Sequence, residues 1–192
     1  MRTAATAMVM LALISLAPRS AVARAVEFVF RENTLPPIAH TIFCNNYPHE
    51  CSRSKASSSF LTSNPRLLYA ELDLVNRQVN AAIRPEAAKA RGAFGNIWLL
   101  FPSAGNCNDY VVSKRHELMA RGWPSSALLL AEVALSSGEH HLVLVVDAGH
   151  ETYVLDNLKP NIVRLSNAAD YRWIRIESPQ VPKNWARMGL HN

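Results

Sequence analysis

"GNCNDYVVSKRHELMARGW", residues 105–123, is the stretch from which the rest of the chain is read. It reads as a helix from about Asn106 to Arg121, closed by Gly122, with Cys107 in its first turn. A helix start presents backbone N–H groups without partners and the positive end of the macrodipole, so a thiol there is biased toward thiolate. With a base nearby, such a placement becomes chemistry.

The bounds are those of one globular domain. The chain has 192 residues, 49% hydrophobic and 18% charged, enough for a substantial core. Its first residues read separately. Arg2, an apolar run from Ala7 to Ala17 and the small-x-small site Ala21-Val22-Ala23 predict a secretory signal peptide over 1–23, with a mature domain over 24–192. The rival is an uncleaved N-terminal anchor. The run is about half of the roughly 20 residues that span a bilayer, so stable membrane insertion after cleavage is not expected. Cleavage leaves 18 basic against 15 acidic residues, +3, with no Lys/Arg block, which argues against nucleic-acid binding.

An exported chain enters an oxidising space, which sorts its three cysteines. Cys44 and Cys51 stand close together in "HTIFCNNYPHEC" and are expected to form a local disulfide. The rival is a zinc site with His40 and His49, although the spacing matches no standard zinc motif. Cys107 is left over, as a buried filler, a point of intermolecular pairing or a reactive group.

Along the mature chain, residues 24–63 read as an extended or irregular lead-in, rich in turn residues. Leu68, Leu72, Val75, Val79 and Ile83 then recur at three and four residues, an amphipathic helix ended by Arg84-Pro85. "RPEAAKARGAFGN" reads as a loop and "IWLLF" as a short apolar run. After the Cys107 helix the period changes: "SALLLAEVAL", "HHLVLVVDA" and "ETYVLDNL", separated by tight turns, read as an antiparallel meander. "YRWIRIESP" adds a fourth strand. The order predicts an α+β fold.

Side-chain alternation puts His141, Val143 and Val145 on one face of the second strand, and Val154 and Asp156 on one face of the third. If these strands pair, His141 and Asp156 come to neighbouring positions, and a helix start carrying Cys107 would complete nucleophile, base and orienter. Asp147, in the turn region, is the weaker candidate for the acid.

"GNCNDYVVSKRHELMARGWP", "HLVLVV" and "YVLDNL", with "FCNNYPHEC" and "ELDLVNRQVNAAI", resemble the signature blocks of the bacterial transglutaminase-like cysteine proteinases, within the papain-like and transglutaminase-like group. The resemblance covers roughly residues 36–178. It implies a papain-like/transglutaminase-like α+β fold, with the nucleophile at a helix start packed on an antiparallel sheet. It places the nucleophile on Cys107, the histidine on His141 rather than His140, and the acid on Asp156. The implied activity is cleavage of protein amide bonds through a thioester, in the periplasm or outside the cell, with a protein or peptide substrate. The family's best-understood branch clips large surface adhesins. Two other readings stay open: a transglutaminase-type acyl transferase, and an inactive papain-like binding module. The Cys107 backbone N–H is one expected oxyanion donor, with Asn96 and Trp98 weak candidates for the second.

The adhesin-clipping branch tends to carry acidic residues on both sides of its cysteine and binds calcium there. Here the flanks are Asn106 and Asn108. Calcium gains affinity with ligand charge, so Asp109 with two amide carbonyls makes a poor cage. No cofactor is expected.

Overall fold

The structure is a computed structural model describing residues 27–55, 64–87 and 97–191. The expected signal peptide, residues 1–23, and Asn96 lie outside the described residues. Three α-helices are described: α1 (Ile38–Asn46), α2 (Pro65–Ala82) and α3 (Cys107–Ala120). The strands are β1 (Glu27–Thr34), β2 (Arg84–Pro85), β3 (Ala104–Gly105), β4 (Leu128–Ala134), β5 (His140–Asp147), β6 (Thr152–Leu155), β7 (Val163–Arg164), β8 (Arg172–Glu177) and β9 (Trp185–His191). Seven of them form one antiparallel sheet in the order β1-β9-β8-β4-β5-β6-β7, and β2 and β3 make a short parallel pair. This is the expected α+β class.

Helix α2 begins where Asn64 accepts the Arg66 N–H at 2.9 Å and Pro65 takes the first position. It ends before Arg84-Pro85, because the residue preceding a proline is pushed out of helical geometry. Its buried stripe, Leu68, Leu72, Val75 and Val79, packs in one cluster with Val111, Val112 and Leu118 of α3 and with Leu128, Leu130, Leu142, Leu144 and Val146 of the sheet. The other sheet face buries Leu129, Ala131, Val133, Val143, Val145, Val154 and Ile176. Strands β4 and β5 are therefore covered on both sides, which explains their near-continuous apolar runs. Each such Val or Leu contributes about 1.5–3 kcal/mol by leaving water.

Two expectations need correction. The described part of the lead-in, residues 27–55, is extended in β1, whose register pairs Phe28 with Leu190 and Thr34 with Trp185, but it also contains the unexpected helix α1, which buries His40, Phe43 and Cys44. Local reading missed the pairing because β1 takes its partner from the far end of the chain, and missed the helix because Pro36-Pro37 look like turn residues while Pro37 caps a helix. Four strands also undercounts the sheet, since β9 has no clear alternation.

Cys44 on α1 is bonded to Cys51, which closes the 3₁₀ turn Pro48–Cys51, with Cα atoms 5.5 Å apart. His40 comes within 4.8 Å of both sulfurs, but sulfurs bonded to each other offer no thiolate to a metal.

Candidate active site

The start of α3 is built by a capping box. Asn106 Oδ1 accepts the Asn108 N–H at 3.0 Å, and Asp109 Oδ2 accepts the Asn106 N–H at 2.9 Å. Asp109 is fully buried, and its other oxygen accepts the Leu99 N–H at 2.8 Å. One carboxylate thus ties the segment before α3 to the helix start. Gly105 makes room for it: a Cβ there would lie 2.7 Å from Asp109 Oδ2. Cys107 is a free thiol, half-buried at the first position of the helix.

His141 and Asp156 meet at the end of the sheet. The β5–β6 ladder runs only from Leu144 opposite Leu155 to Asp147 opposite Thr152, so the first residues of β5 lie beside the segment that follows β6. Asp156, one residue past β6, reaches diagonally to His141. His141 Nε2 donates to Asp156 Oδ1 at 2.7 Å, and both side chains are buried. Burial pushes the imidazole down, but the hydrogen bond and charge of Asp156 and the adjoining Cys107 thiol outweigh it and raise His141 to about 9. For Asp156, burial pushes up, while His141, the Leu158 N–H and Tyr171 hold the carboxyl below its ordinary range.

The structure therefore brings Cys107, His141 and Asp156 together. The other candidates fall elsewhere. Asp147 accepts the Gly149 N–H at 2.8 Å in the turn, and His140 is exposed and bonded to Glu132 at 2.6 Å. Trp98 is a core side chain, 5.7 Å from the His40 ring and 6.0 Å from Phe43.

Sequence reading missed three participants. Asn80 on α2 donates to the Asp156 backbone carbonyl at 3.2 Å, and Tyr171 donates to Asp156 Oδ2 at 2.5 Å. Asn80 falls in a helix pattern and Tyr171 at the head of a strand pattern, and nothing local marks their long-range partner. The third, Lys114, lies two turns down α3 from Cys107. It is fully buried, and its Nζ has no hydrogen-bond partner among the described residues. Burial drives it down to about 7, against the pull of Asp156.

The site opens on a cleft of about 1150 Å³. Pro36, Pro37, Ile38 and Ile42 make an apolar wall, and Cys107 and His141 line the cleft with Glu132 and Arg175. That wall is tied down where Arg175 Nη1 donates to the Leu35 carbonyl at 2.5 Å.

Both Asp109 oxygens and the Asn106 carbonyl oxygen already accept backbone N–H groups, and the one carboxylate is sealed from solvent.

The sequence profile of the bacterial transglutaminase-like cysteine proteinases matches residues 30–192. Among solved structures, Legionella pneumophila LapG is similar at 26% identity and a TM-score of 0.50, over 60% of this chain and 65% of that one. Its EGTA-treated form matches with the same figures. Its calcium-bound form, at 24% identity and a TM-score of 0.53 over 66% of this chain and 71% of that one, shows a likeness of fold. The match thus spans just under two thirds of LapG in the first two forms. No curated protein matches the chain. With a thiol at a helix start facing a histidine on an antiparallel sheet, and a family profile covering nearly all of the described residues, this chain belongs to the bacterial transglutaminase-like cysteine proteinases.

Proposed function

We propose that the protein is an exported cysteine peptidase that cleaves amide bonds of periplasmic or cell-surface proteins, with Cys107 as nucleophile, His141 as base and Asp156 as orienter. The observation that carries this reading is the His141 ring, which is bonded through Nε2 to Asp156, adjoins the Cys107 thiol and opens on the cleft. His141 accepts the thiol proton, and Asp156 holds the ring so that its other nitrogen serves the sulfur. The thiolate attacks the substrate carbonyl. The imidazolium then protonates the leaving amine, and water resolves the thioester.

The helix start supplies one oxyanion donor. The cap occupies the N–H groups of Asn106, Asn108 and Asp109, leaving that of Cys107 without a partner among the described residues. Such a donor is worth about 3 kcal/mol to the transition state. The capping box braces this loop by hydrogen bonds, and the reaction runs without calcium. Residues 1–23 serve as the export signal.

The test is alkylation by iodoacetamide. Cys107 is expected to react at mildly acidic pH, and His141→Ala to slow the reaction roughly tenfold or more. A thiol that reacts only at alkaline pH, indifferent to His141, would refute the assignment. Cys107-dependent fragments in envelope proteins of the protein's own host would then identify the substrate.

A further inference from the structure

The acid of the site has a second face. Asp156 Oδ1 is shared by His141 Nε2 at 2.7 Å and the Leu158 N–H at 2.9 Å, and Oδ2 accepts the Tyr171 hydroxyl at 2.5 Å. A carboxylate held at three points cannot rotate about its Cβ–Cγ bond without breaking a charge-assisted hydrogen bond.

Tyr171 is itself held. It is buried at the entrance to β8, with the edge of its ring against Trp173 at a centroid distance of 5.9 Å. Lys159 Nζ stands 4.7 Å over the ring and is anchored by Asp170 at 2.9 Å. The ring has little freedom, and its hydroxyl points at the one oxygen of Asp156 that His141 does not use.

We infer that Tyr171 is a positioning residue of the peptidase site, which keeps Asp156 ionised and keeps Oδ1 turned toward His141. The inference rests on the proposed Cys107–His141–Asp156 assignment. Tyr171 acts through the acid alone and touches neither the sulfur nor the substrate cleft. A buried carboxylate with two oxygens in different protein environments would otherwise tend toward its neutral form, because burial penalises the charge. The hydroxyl opposes that tendency from the side away from the imidazole.

The charged and titratable groups around the acid are His141 from β5, Lys114 from α3 and Tyr171, with Lys159 and Asp170 acting on the tyrosine. From the helix side Lys114 interacts electrostatically with Asp156, and it has no hydrogen bond to it. Tyr171 is therefore the only hydroxyl donor to the carboxylate among the described residues.

Tyr171→Phe removes the oxygen and keeps the ring, the Trp173 contact and the Lys159 cation over it. Iodoacetamide alkylation of Cys107 is followed from pH 4 to 10 in the full chain, for wild type, Tyr171→Phe, Asp156→Asn and His141→Ala, with the melting temperature of each. A charge-assisted hydrogen bond is worth roughly one pH unit or more, so the low-pH limb should move up by about one unit in Tyr171→Phe, with a several-fold slower rate at pH 6. Asp156→Asn should abolish the limb altogether. Tyr171→Trp, which is too large for the slot, should not restore the wild-type profile. A Tyr171→Phe variant with a lower melting temperature but an unmoved limb has lost only packing, and the inference is overturned. The same holds if both are unchanged. If His141→Ala and Asp156→Asn also leave alkylation unmoved, the triad assignment has failed instead.

Discussion

Among the described residues two buried histidine–carboxylate pairs stand, and they differ in what lies beyond the ring. His141 faces Asp156 at 2.7 Å through Nε2, with the thiol and the cleft on its other side. His40 on α1 lies deeper, 1% exposed, with Nε2 3.6 Å from Glu177 and 3.5 Å from the disulfide sulfur of Cys44. Its Nδ1 accepts from the Trp185 indole at 3.3 Å, and an indole N–H can only donate. Glu177 is drawn further into structure, accepting the Leu130 N–H at 3.3 Å and standing 3.9 Å from Arg115. Arg115 in turn donates to the carbonyls of Leu128 and Glu50. The pairing of imidazole and carboxylate is common to both sites. What differs is the group at the second ring nitrogen: an indole pins one tautomer and closes the site, whereas a thiol can exchange a proton and leaves it open.

The largest expected effect comes from removing each ring in turn. His141→Ala should lower cleavage by a thousandfold or more, on the order of what loss of a general base with its nucleophile costs, while the protein still melts cooperatively. His40→Ala should do the reverse. It strands the Trp185 N–H, and leaving a buried polar group unpaired costs about 1–3 kcal/mol, yet the folded fraction should cleave at close to the wild-type rate. Urea unfolding together with initial rates separates the two. An inactive but stable His40→Ala would break the comparison.

A smaller effect is read in pH. His141 is raised to about 9, so the imidazolium that protonates the leaving amine persists to that pH, and kcat/KM should fall as pH rises through it. The stability sign follows. The raised His141 contributes stability that is fully present below about 6.5 and lost as pH rises through about 9. The lowered Asp156 contributes stability present above 3.8 and lost as pH falls through its folded value. The melting-temperature gap between wild type and His141→Ala should therefore be widest between 3.8 and 6.5 and shrink by pH 9. A gap that widens above pH 9 would place the proton elsewhere.

The smallest expected effect is none. Melting temperature and cleavage should be equal in millimolar calcium and in excess chelator, because the helix-start oxygens already serve the cap. A calcium-dependent rise in melting temperature, lost in Asp109→Ala, would show a cation replacing those N–H donors.

Local information was enough for much of this molecule. The three-and-four spacing from Leu68 to Ile83, the Cys107 helix, the apolar runs of β4 and β5 and the short Cys44–Cys51 spacing are signals written within a few residues, because helices, hairpins and local disulfides are closed by near neighbours. Strand alternation was likewise enough to expect His141 beside Asp156, and the structure brings these two and Cys107 together. What reads as lead-in became β1 and α1 only through β9, whose strand lies more than 150 positions away in the pairing of Phe28 with Leu190. The diagonal reach of Asp156, the hydroxyl of Tyr171 and the Asn80 amide likewise depend on where distant elements stop. Which of two histidines meets a thiol and which an indole is set by packing between α1, α3 and the sheet, and no spacing along the chain encodes it.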